Sequence, residues 1–280
     1  MISQIIIEIK FSQKYSFLCS MKWIDTHAHL YLPEFEADID QVIERSKSNH
    51  ISGIILPNID AESIPAMLGL VDKAPEIFCP ALGLHPCSVK SGENLVEWEE
   101  HWNLLSTGKF CAIGETGIDL YWDKTTLHLQ EKNFARHIKK ALEYDLPLII
   151  HVRNSFQEVF RVLDEHYDPK LKGVFHCFTG DRQEIEKVNS YKNFYFGIGG
   201  VITFKNSNLK HIIKQIPTEK ILLETDAPYL TPTPYRGKRN ESGYIPIIAE
   251  SLSKYLEVSI EELSEITTGN AVRLFNLTVN

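Results

Sequence analysis

Short apolar runs alternate along the chain with longer amphipathic segments. Eight of these runs have the length and bulk of buried strands. They cover residues 23–30, 51–57, 77–85, 110–118, 147–152, 173–178, 193–200 and 220–226. Between them, residues 125–145 place Phe134 and Ile138 on one helical stripe, and residues 155–167 repeat this spacing. Eight strand–helix units in about 250 residues predict the α/β class and a single (β/α)8 TIM barrel.

The barrel is predicted to form one domain over residues 22–280. No low-complexity linker divides the alternating segments. The last amphipathic segment, residues 259–275, is predicted to be a helix with Ser259 as its N-cap and Glu262 at the capping-box position. The chain is long for an ordinary domain, but its length is normal for one α/β barrel.

Residues 1–21 are predicted to be an N-terminal extension. Their apolar run is interrupted by Glu8 and Lys10, and no basic segment precedes it, so they are a poor match to a signal peptide. A second methionine, Met21, stands directly before the first predicted strand. We therefore interpret the extension as disordered, or as the result of a start codon assigned too early.

Composition and charge narrow the classes of function. With 43% hydrophobic and 24% charged residues, the chain can bury a large core. Its net charge is −8, from 29 basic and 37 acidic residues, which excludes a protein that grips long nucleic acid through a basic surface. Any polyanionic substrate must be met locally, by metal ions or by a few arginines.

Cysteine usage predicts a cytoplasmic protein. The chain has five cysteines, an odd number, and no CxxC pair, which favours free thiols in a reducing compartment over a disulfide framework. No apolar run approaches the ~20 residues of a membrane span, so no membrane association is expected. The oligomeric state stays open.

Imidazole and carboxylate side chains follow the predicted strands at their C-terminal ends, where TIM barrels carry their active groups. These residues are His27, His29, His85, Glu115, His151, His176 and Asp226. His27 and His29 are two apart on one strand and so face the same side, where they can bind one metal ion. Each residue alone is better explained as a hydrogen-bonded core residue. Together they would be costly to bury unpaired, at about 1–3 kcal/mol for each polar group, and divalent cations remove that cost.

The other polar candidates are weaker. Six further histidines lie in or beside helical segments and are assigned no chemistry: His50, His101, His128, His137, His166 and His211. The basic run at residues 235–240 follows the eighth strand, and TIM barrels often bind phosphate near the loops after strands seven and eight. We therefore expect Arg236 or Arg239 to contact a substrate phosphate.

The motifs resemble the TatD family of metal-dependent hydrolases. The matching segments are DTHAHL (25–30), GLHP (83–86), IGETGIDLYW (113–122), IIHVRN (149–154), VFHCFTG (174–180), GGVITFKN (199–206), LLETDAPYLTP (222–232) and RGKRNES (236–242). They follow the family order and span about residues 22–242. The chain departs from the family pattern at Ser242, where a proline is usual after Asn-Glu, and residues 1–20 have no counterpart.

The resemblance implies a pair of divalent metal ions and hydrolysis of nucleic-acid phosphodiesters. The implied ligands of the first metal are His27, His29, Glu115 and Asp226, and those of the second are Glu115, His151 and His176. Glu115 would bridge the two ions, and Asp226 would also act as the general base. The residues implied to orient phosphate are His85, Arg153 and Arg236. Magnesium, manganese and zinc all suit this mixture of ligands.

Three functions compete. The leading hypothesis is a metal-dependent deoxyribonuclease or exonuclease that acts on single-stranded DNA or strand ends. The second is a hydrolase of another ester or amide on the same scaffold, such as a D-aminoacyl-tRNA deacylase. The third, a non-catalytic metal-binding barrel, has little support because the rim carries more ligand-type residues than a structure requires. The sequence leaves open which metal is bound, whether DNA or RNA is preferred, and from which end of the strand cleavage proceeds.

Overall fold

A ring of parallel strands surrounded by helices forms the fold in a computed structural model, which describes residues 21–278. Within this range the sheet has eight strands, paired in chain order. They are β1 (Trp23–Asp25), β2 (Ile51–Pro57), β3 (Phe78–Leu82), β4 (Ala112–Asp119), β5 (Leu148–Arg153), β6 (Lys172–Phe175), β7 (Asn193–Ile198) and β8 (Ile221–Leu223). The predicted TIM barrel is confirmed. The predicted extension, except for Met21, lies outside the described residues.

Helices follow the strands on the outside of the sheet. They are α1 (Ile39–Ser48), α2 (Ile64–Lys73), α3 (Gly92–Glu97), α4 (Leu127–Tyr144), α5 (Phe156–Glu165), α6 (Arg182–Ser190), α7 (Leu209–Ile212), α8 (Ile245–Leu256) and α9 (Ile260–Phe275). The predicted cap of α9 is present, since the Ser259 side chain accepts a hydrogen bond from the Glu262 backbone N–H. Among the described residues, no helix has both the length and the apolar character needed to cross a membrane.

The first and last strands close the ring through irregular contacts. Ala28 and Ala227 form an isolated parallel bridge, and the Thr26 N–H donates to the carbonyl oxygen of Leu223 at 3.0 Å. Regular pairing therefore ends earlier than the sequence suggests, at Asp25 in β1 and at Leu223 in β8. The residues beyond these ends are joined by backbone contacts at the barrel mouth, and they include predicted metal ligands.

The core has an inner and an outer part. Inside the barrel, strand residues such as Ile24, Ile149 and Leu222 pack with Leu274 and Phe275 of α9. The larger cluster lies between the strands and the surrounding helices. Because α9 packs against the starts of the strands, the opposite end, where the strands finish, is left free for polar side chains.

Candidate metal centre

A cavity of about 600 Å³ opens at the C-terminal ends of the strands. Most of the predicted site residues line it, namely His29, His85, Glu115, His151, Arg153, His176 and Asp226. His27 is fully buried and contacts several of them from behind. The structure therefore brings together side chains that lie as far apart in sequence as His27 and Asp226.

The first group of donor atoms lies where β1 and β8 meet. His27 Nε2 is 3.0 Å from His29 Nε2 and 3.2 Å from Glu115 Oε2. Asp226 Oδ1 completes the group, 3.6 Å from His27 Nε2 and 3.7 Å from His29 Nε2. Two imidazoles and two carboxylate oxygens thus face a common point, which is the arrangement expected from the two-residue spacing of His27 and His29.

The second group surrounds the other oxygen of Glu115. His151 Nδ1 and His176 Nε2 each lie 2.9 Å from Glu115 Oε1, and 3.3 Å from each other. His85 Nε2 lies 3.3 Å from both Glu115 Oε1 and His151 Nδ1. His85, predicted as a phosphate contact, is therefore also close enough to belong to this group.

The spacing within both groups fits divalent cations. A cation about 2.1 Å from each ligand leaves neighbouring ligand atoms about 3.0 Å apart in octahedral and about 3.4 Å apart in tetrahedral coordination. Ligand atoms here are separated by 2.9 to 3.7 Å. Each group contains imidazole nitrogen and carboxylate oxygen, a mixture that zinc, manganese and magnesium all accept in part.

The hydrogen bonds behind two of the imidazoles also fit a metal site. His29 Nδ1 lies 3.0 Å from the Tyr31 hydroxyl oxygen and 3.2 Å from the carbonyl oxygen of Pro57. Because the Tyr31 hydroxyl donates its own proton to Pro57, both neighbours accept from Nδ1, and Nε2 is left to face the first group. His151 Nε2 lies 2.8 Å from Asp119 Oδ2, which leaves His151 Nδ1 to face the second group. A carboxylate or carbonyl behind a metal-binding histidine commonly sets its tautomer in this way.

Charge is concentrated on Glu115. Burial opposes ionisation of Glu115, yet the imidazoles of His85, His176 and His27 hold the pKa of its carboxyl well below the usual range. Burial also lowers the pKa of His176, but Glu115 outweighs it and raises that pKa well above the usual value. A buried, ionised carboxylate surrounded by imidazoles is a strong site for positive charge.

Asp226 differs from Glu115. Burial raises the pKa of its carboxyl to about 6, against the opposing effect of His176 and His29. Its backbone has a φ of 58°, a left-handed conformation that is uncommon for residues other than glycine. Such backbone strain is often found at functional sites. Asp226 therefore combines a ligand position with a proton affinity close to neutral pH.

Asp119 is a site residue that the sequence analysis missed. It is buried at the end of β4, and its carboxylate accepts hydrogen bonds from His151 and from the backbone N–H groups of Tyr121 and Trp122. It stands four residues after Glu115 on the same strand. Even spacing along a strand places both carboxylates on one face, and this was the available signal.

Asp25 and Glu224 were also missed. Asp25 accepts hydrogen bonds from the backbone N–H and the hydroxyl of Thr225, at 2.9 and 2.6 Å, and so joins β1 to the segment that carries Asp226. Glu224 accepts from the backbone N–H of Cys177, and its Oε1 lies 3.6 Å from His176 Nδ1. Each precedes a predicted ligand by two residues at the end of a strand, and this even spacing was the available signal, as for Asp119.

Gly117 explains why a glycine stands in the middle of β4. Its φ is 133°, and a Cβ at this position would collide with the backbone oxygen of His151. Its register partner on β5 is His151 itself. The glycine therefore allows β4 and β5 to approach closely at the level where Glu115 and His151 meet.

The predicted phosphate-binding arginines fall in different places. Arg153 lines the cavity, with its guanidinium 3.9 Å from the ring centre of Tyr121. Arg239 instead forms an ion pair with Asp38, at 2.7 and 2.8 Å, and lines a separate cavity beside α1. Arg236 lies over the ring of Phe204 and donates to a backbone oxygen. Its contact with substrate stays a prediction, whereas the placement of Arg239 does not favour one.

The rim of the cavity presents exposed aromatic side chains. Trp122 is 68% exposed and Tyr229 is 50% exposed, although both line the cavity. Tyr121 stands beside Trp122 and beneath the guanidinium of Arg153. Large aromatic rings at the entrance of a polar cavity can stack on flat ligand groups.

Comparison with known proteins gives one consistent family. The family model described as TatD related DNase matches residues 24–276. The chain is 38% identical to the metal-dependent hydrolase YabD of Bacillus subtilis over 90% of this chain and 98% of that one. It is 30% identical to the metal-dependent hydrolase YcfH of Escherichia coli, over 91% and 96%.

A solved structure supports the same relationship. The TatD homologue YjjV of Escherichia coli has a TM-score of 0.84 and 29% identity, over 91% of this chain and 98% of that one. The matched region includes both groups of donor atoms around Glu115. This chain therefore belongs to the TatD-related DNase family and is a metal-dependent hydrolase on a (β/α)8 barrel.

Proposed function

We propose that this hydrolase is a deoxyribonuclease that removes nucleotides from the ends of single-stranded DNA. The proposal rests mainly on the two groups of donor atoms, one on each carboxylate oxygen of Glu115. Divalent cations held by these groups would lower the pKa of a bound water and neutralise charge on the attacking and leaving oxygens of a phosphodiester.

The surroundings of the site support a nucleic-acid end as the substrate. Trp122 and Tyr229 are exposed at the rim, and base–aromatic stacking contributes about 1–3 kcal/mol per base without sequence preference. Arg153 stands in the same cavity and can form paired hydrogen bonds to phosphate oxygens. The net charge of −8 suits a short contact at a strand end better than a long electrostatic track.

The chain's own groups have distinct roles in this proposal. Asp226 would take the proton from the attacking water as general base, since its carboxylate faces the first donor group at the mouth of the barrel. Glu115 stays ionised and holds the two groups together. Arg153 and His85 orient the phosphate from the open side of the cavity, where both are lining residues.

The proposal includes a cytoplasmic location and no membrane partner. Cys79, Cys87, Cys111 and Cys177 are free thiols, and Cys111 is buried among apolar residues as a small hydrophobe. Cys87 and Cys177 line the cavity beside the donor groups. Thiols in that position are compatible with activity in a reducing compartment.

The test is an assay of purified protein on end-labelled single-stranded DNA with magnesium, manganese or zinc, and with a chelator as control. We expect metal-dependent release of nucleotides, lost on chelation and in Asp226→Asn. A parallel assay on RNA of the same sequence measures the preference for DNA over RNA. A D-aminoacyl-tRNA is assayed in parallel, because ester cleavage without nucleotide release from DNA would replace the nuclease proposal with the ester hydrolase. Absence of nucleotide release from DNA with all three metals would reject the nuclease proposal.

A further inference from the structure

Helix α4 carries three polar side chains on its buried face. Gln130, Asn133 and His137 are 1%, 1% and 0% exposed, although α4 is an outer helix of the barrel. Their spacing of three and four residues places them in one row, which we call the polar stripe. Burying uncharged polar groups destabilises a fold unless they are hydrogen-bonded, so their partners explain their presence.

Asn133 and His137 bind both backbone groups of one residue. The Leu84 N–H donates to His137 Nε2 at 3.0 Å, and Asn133 Nδ2 donates to the Leu84 carbonyl oxygen at 2.9 Å. Leu84 lies between the end of β3 and His85, which faces Glu115. Two side chains of α4 therefore fix the peptide units that deliver His85 to the site.

Gln130 does the same for Asp119. The Asp119 N–H donates to Gln130 Oε1 at 2.8 Å, and Gln130 Nε2 donates to the Asp119 carbonyl oxygen at 3.2 Å. Asp119 in turn accepts from His151. The polar stripe thus clamps two backbone positions, and each leads directly to an imidazole beside Glu115 Oε1.

The state of His137 agrees with this arrangement. Its Nε2 accepts from an N–H and its Nδ1 lies 2.8 Å from the carbonyl oxygen of Asn133, so the ring is neutral with its proton on Nδ1. Burial, with a smaller contribution from Arg136, lowers the pKa of His137 to about 4, against the raising effect of the hydrogen bond to the Asn133 backbone. The rings of Trp98 and Trp102 pack against it.

We infer that the polar stripe of α4 positions one side of the metal centre, with His137 and Asn133 acting through Leu84 on His85, and Gln130 acting through Asp119 on His151. The three are positioning residues, since none touches the donor atoms themselves. The inference concerns the hydrolase site of the family and holds whether or not DNA is the substrate.

The first test needs no activity. In the metal-free protein with ¹⁵N-labelled histidine, we expect His137 to show the Nδ1–H tautomer and no titration between pH 5 and pH 8. In His137→Leu, the ring signals of His85 should shift while those of His27 and His29 stay in place. Titration of His137 within this range, or equal shifts at all three other rings, would overturn the inference.

The second test is a double-mutant cycle. Direct outer partners of metal-binding side chains typically contribute about 10–100-fold to activity or metal affinity. His137 acts one step further out, through Leu84, and we expect His137→Leu to lower kcat/KM about 10-fold, the lower end of that range. In a His85→Ala background the same substitution should cost no more than about 2-fold, because sites that act through one another do not add. A full, additive loss in that background would show a general structural role.

Two further variants separate a positioning role of His137 from a general effect on the fold. His137→Gln retains an acceptor for the Leu84 N–H and should restore most of the activity that His137→Leu loses. His128→Leu on the same helix, at an exposed position, is the matched control and should change nothing. If His137→Leu fails to fold, the histidine spectrum of the wild type and the activity of His137→Gln test the positioning role of His137 instead. A His137→Gln protein as defective as His85→Ala would contradict that role.

Discussion

The two sides of Glu115 are built in different ways. On the Oε2 side, His27, His29 and Asp226 come from two neighbouring strands that close the barrel. The pair of histidines is local in sequence, and the cross-strand hydrogen bonds between Asp25 and Thr225 hold the two strands together. Apart from Glu115 of β4 and the contact of His29 with Pro57 of β2, this side of the site is formed by the β1–β8 junction.

On the Oε1 side, the imidazoles come from three separate strands and depend on an outer helix. His151 lies within β5, whereas His85 and His176 follow β3 and β6. The polar stripe of α4 fixes the backbone of Leu84, next to His85, and that of Asp119, whose carboxylate contacts His151. Geometry on this side is therefore distributed over five elements. We expect it to be more sensitive to substitutions far from the cavity than the Oε2 side.

The largest effect should come from the residue that both sides share. Glu115→Gln keeps the shape of the side chain but removes the buried charge between the two groups. We expect loss of nearly all activity and of at least one equivalent of bound metal, with the fold retained, because the strands that carry the ligands do not depend on this charge. Metal analysis, circular dichroism and kinetics measure the three outcomes, and an active protein with two full equivalents would disprove a bridging role.

Asp226→Asn changes the Oε2 side only. A general base contributes typically ~10²–10⁴-fold, and we expect kcat to fall by at least that factor because the water loses its base and the first group loses a charged ligand. KM for a short oligonucleotide should change little. Steady-state kinetics measure the split, and a wild-type kcat would show that another group accepts the proton.

The buried His137, which supports the Oε1 side, should make the stability of the protein depend on pH. His137 has a folded-state pKa of about 4 against an ordinary value of 6.5, so the unfolded chain binds its proton first as the pH falls. Wild-type protein should therefore lose up to about 3 kcal/mol more unfolding free energy than His137→Gln between pH 7 and pH 4. Denaturant melts at both pH values measure this, and equal losses in the two proteins would contradict it.

Substitution of the arginines should have the smallest effects. We expect Arg153→Ala to change KM and Arg239→Ala to change stability. Arg153→Ala should raise KM about 10-fold and weaken its salt dependence, since a charged hydrogen bond to phosphate is worth about 1.5 kcal/mol or more. Arg239→Ala should leave KM unchanged and lower stability by less than about 1 kcal/mol, because its partner is Asp38 at the surface. A raised KM in Arg239→Ala would show that Arg239 contacts the substrate after all.

Much of the fold and of the donor set could be predicted from the sequence. The alternation of apolar runs predicted all the strands found in residues 21–278, because burial in a barrel demands continuous apolar strands. His27 and His29 could be recognised as a pair because a strand repeats every two residues. The other side chains of the two donor groups were predicted from their positions at the strand ends, where this fold carries its polar groups, and their role as ligands stays a prediction.

The supports of the site could not be predicted in the same way. Phe134 and Ile138 marked α4 as an amphipathic helix, but the same face also buries Asn133 and His137. Their partner, Leu84, is about fifty residues earlier in the chain and contributes only backbone groups, which leave no trace in the sequence. The ion pair of Arg239 with Asp38 could not be predicted for a similar reason, since it joins segments 201 residues apart.

Anomalous diffraction from crystals of the protein soaked with manganese tests the bridging role of Glu115 directly. We expect two peaks, one within bonding distance of Glu115 Oε2, His27, His29 and Asp226, and one within bonding distance of Glu115 Oε1, His151 and His176. A single peak, or two peaks on the same oxygen of Glu115, would contradict the claim that this carboxylate joins two separate metal sites.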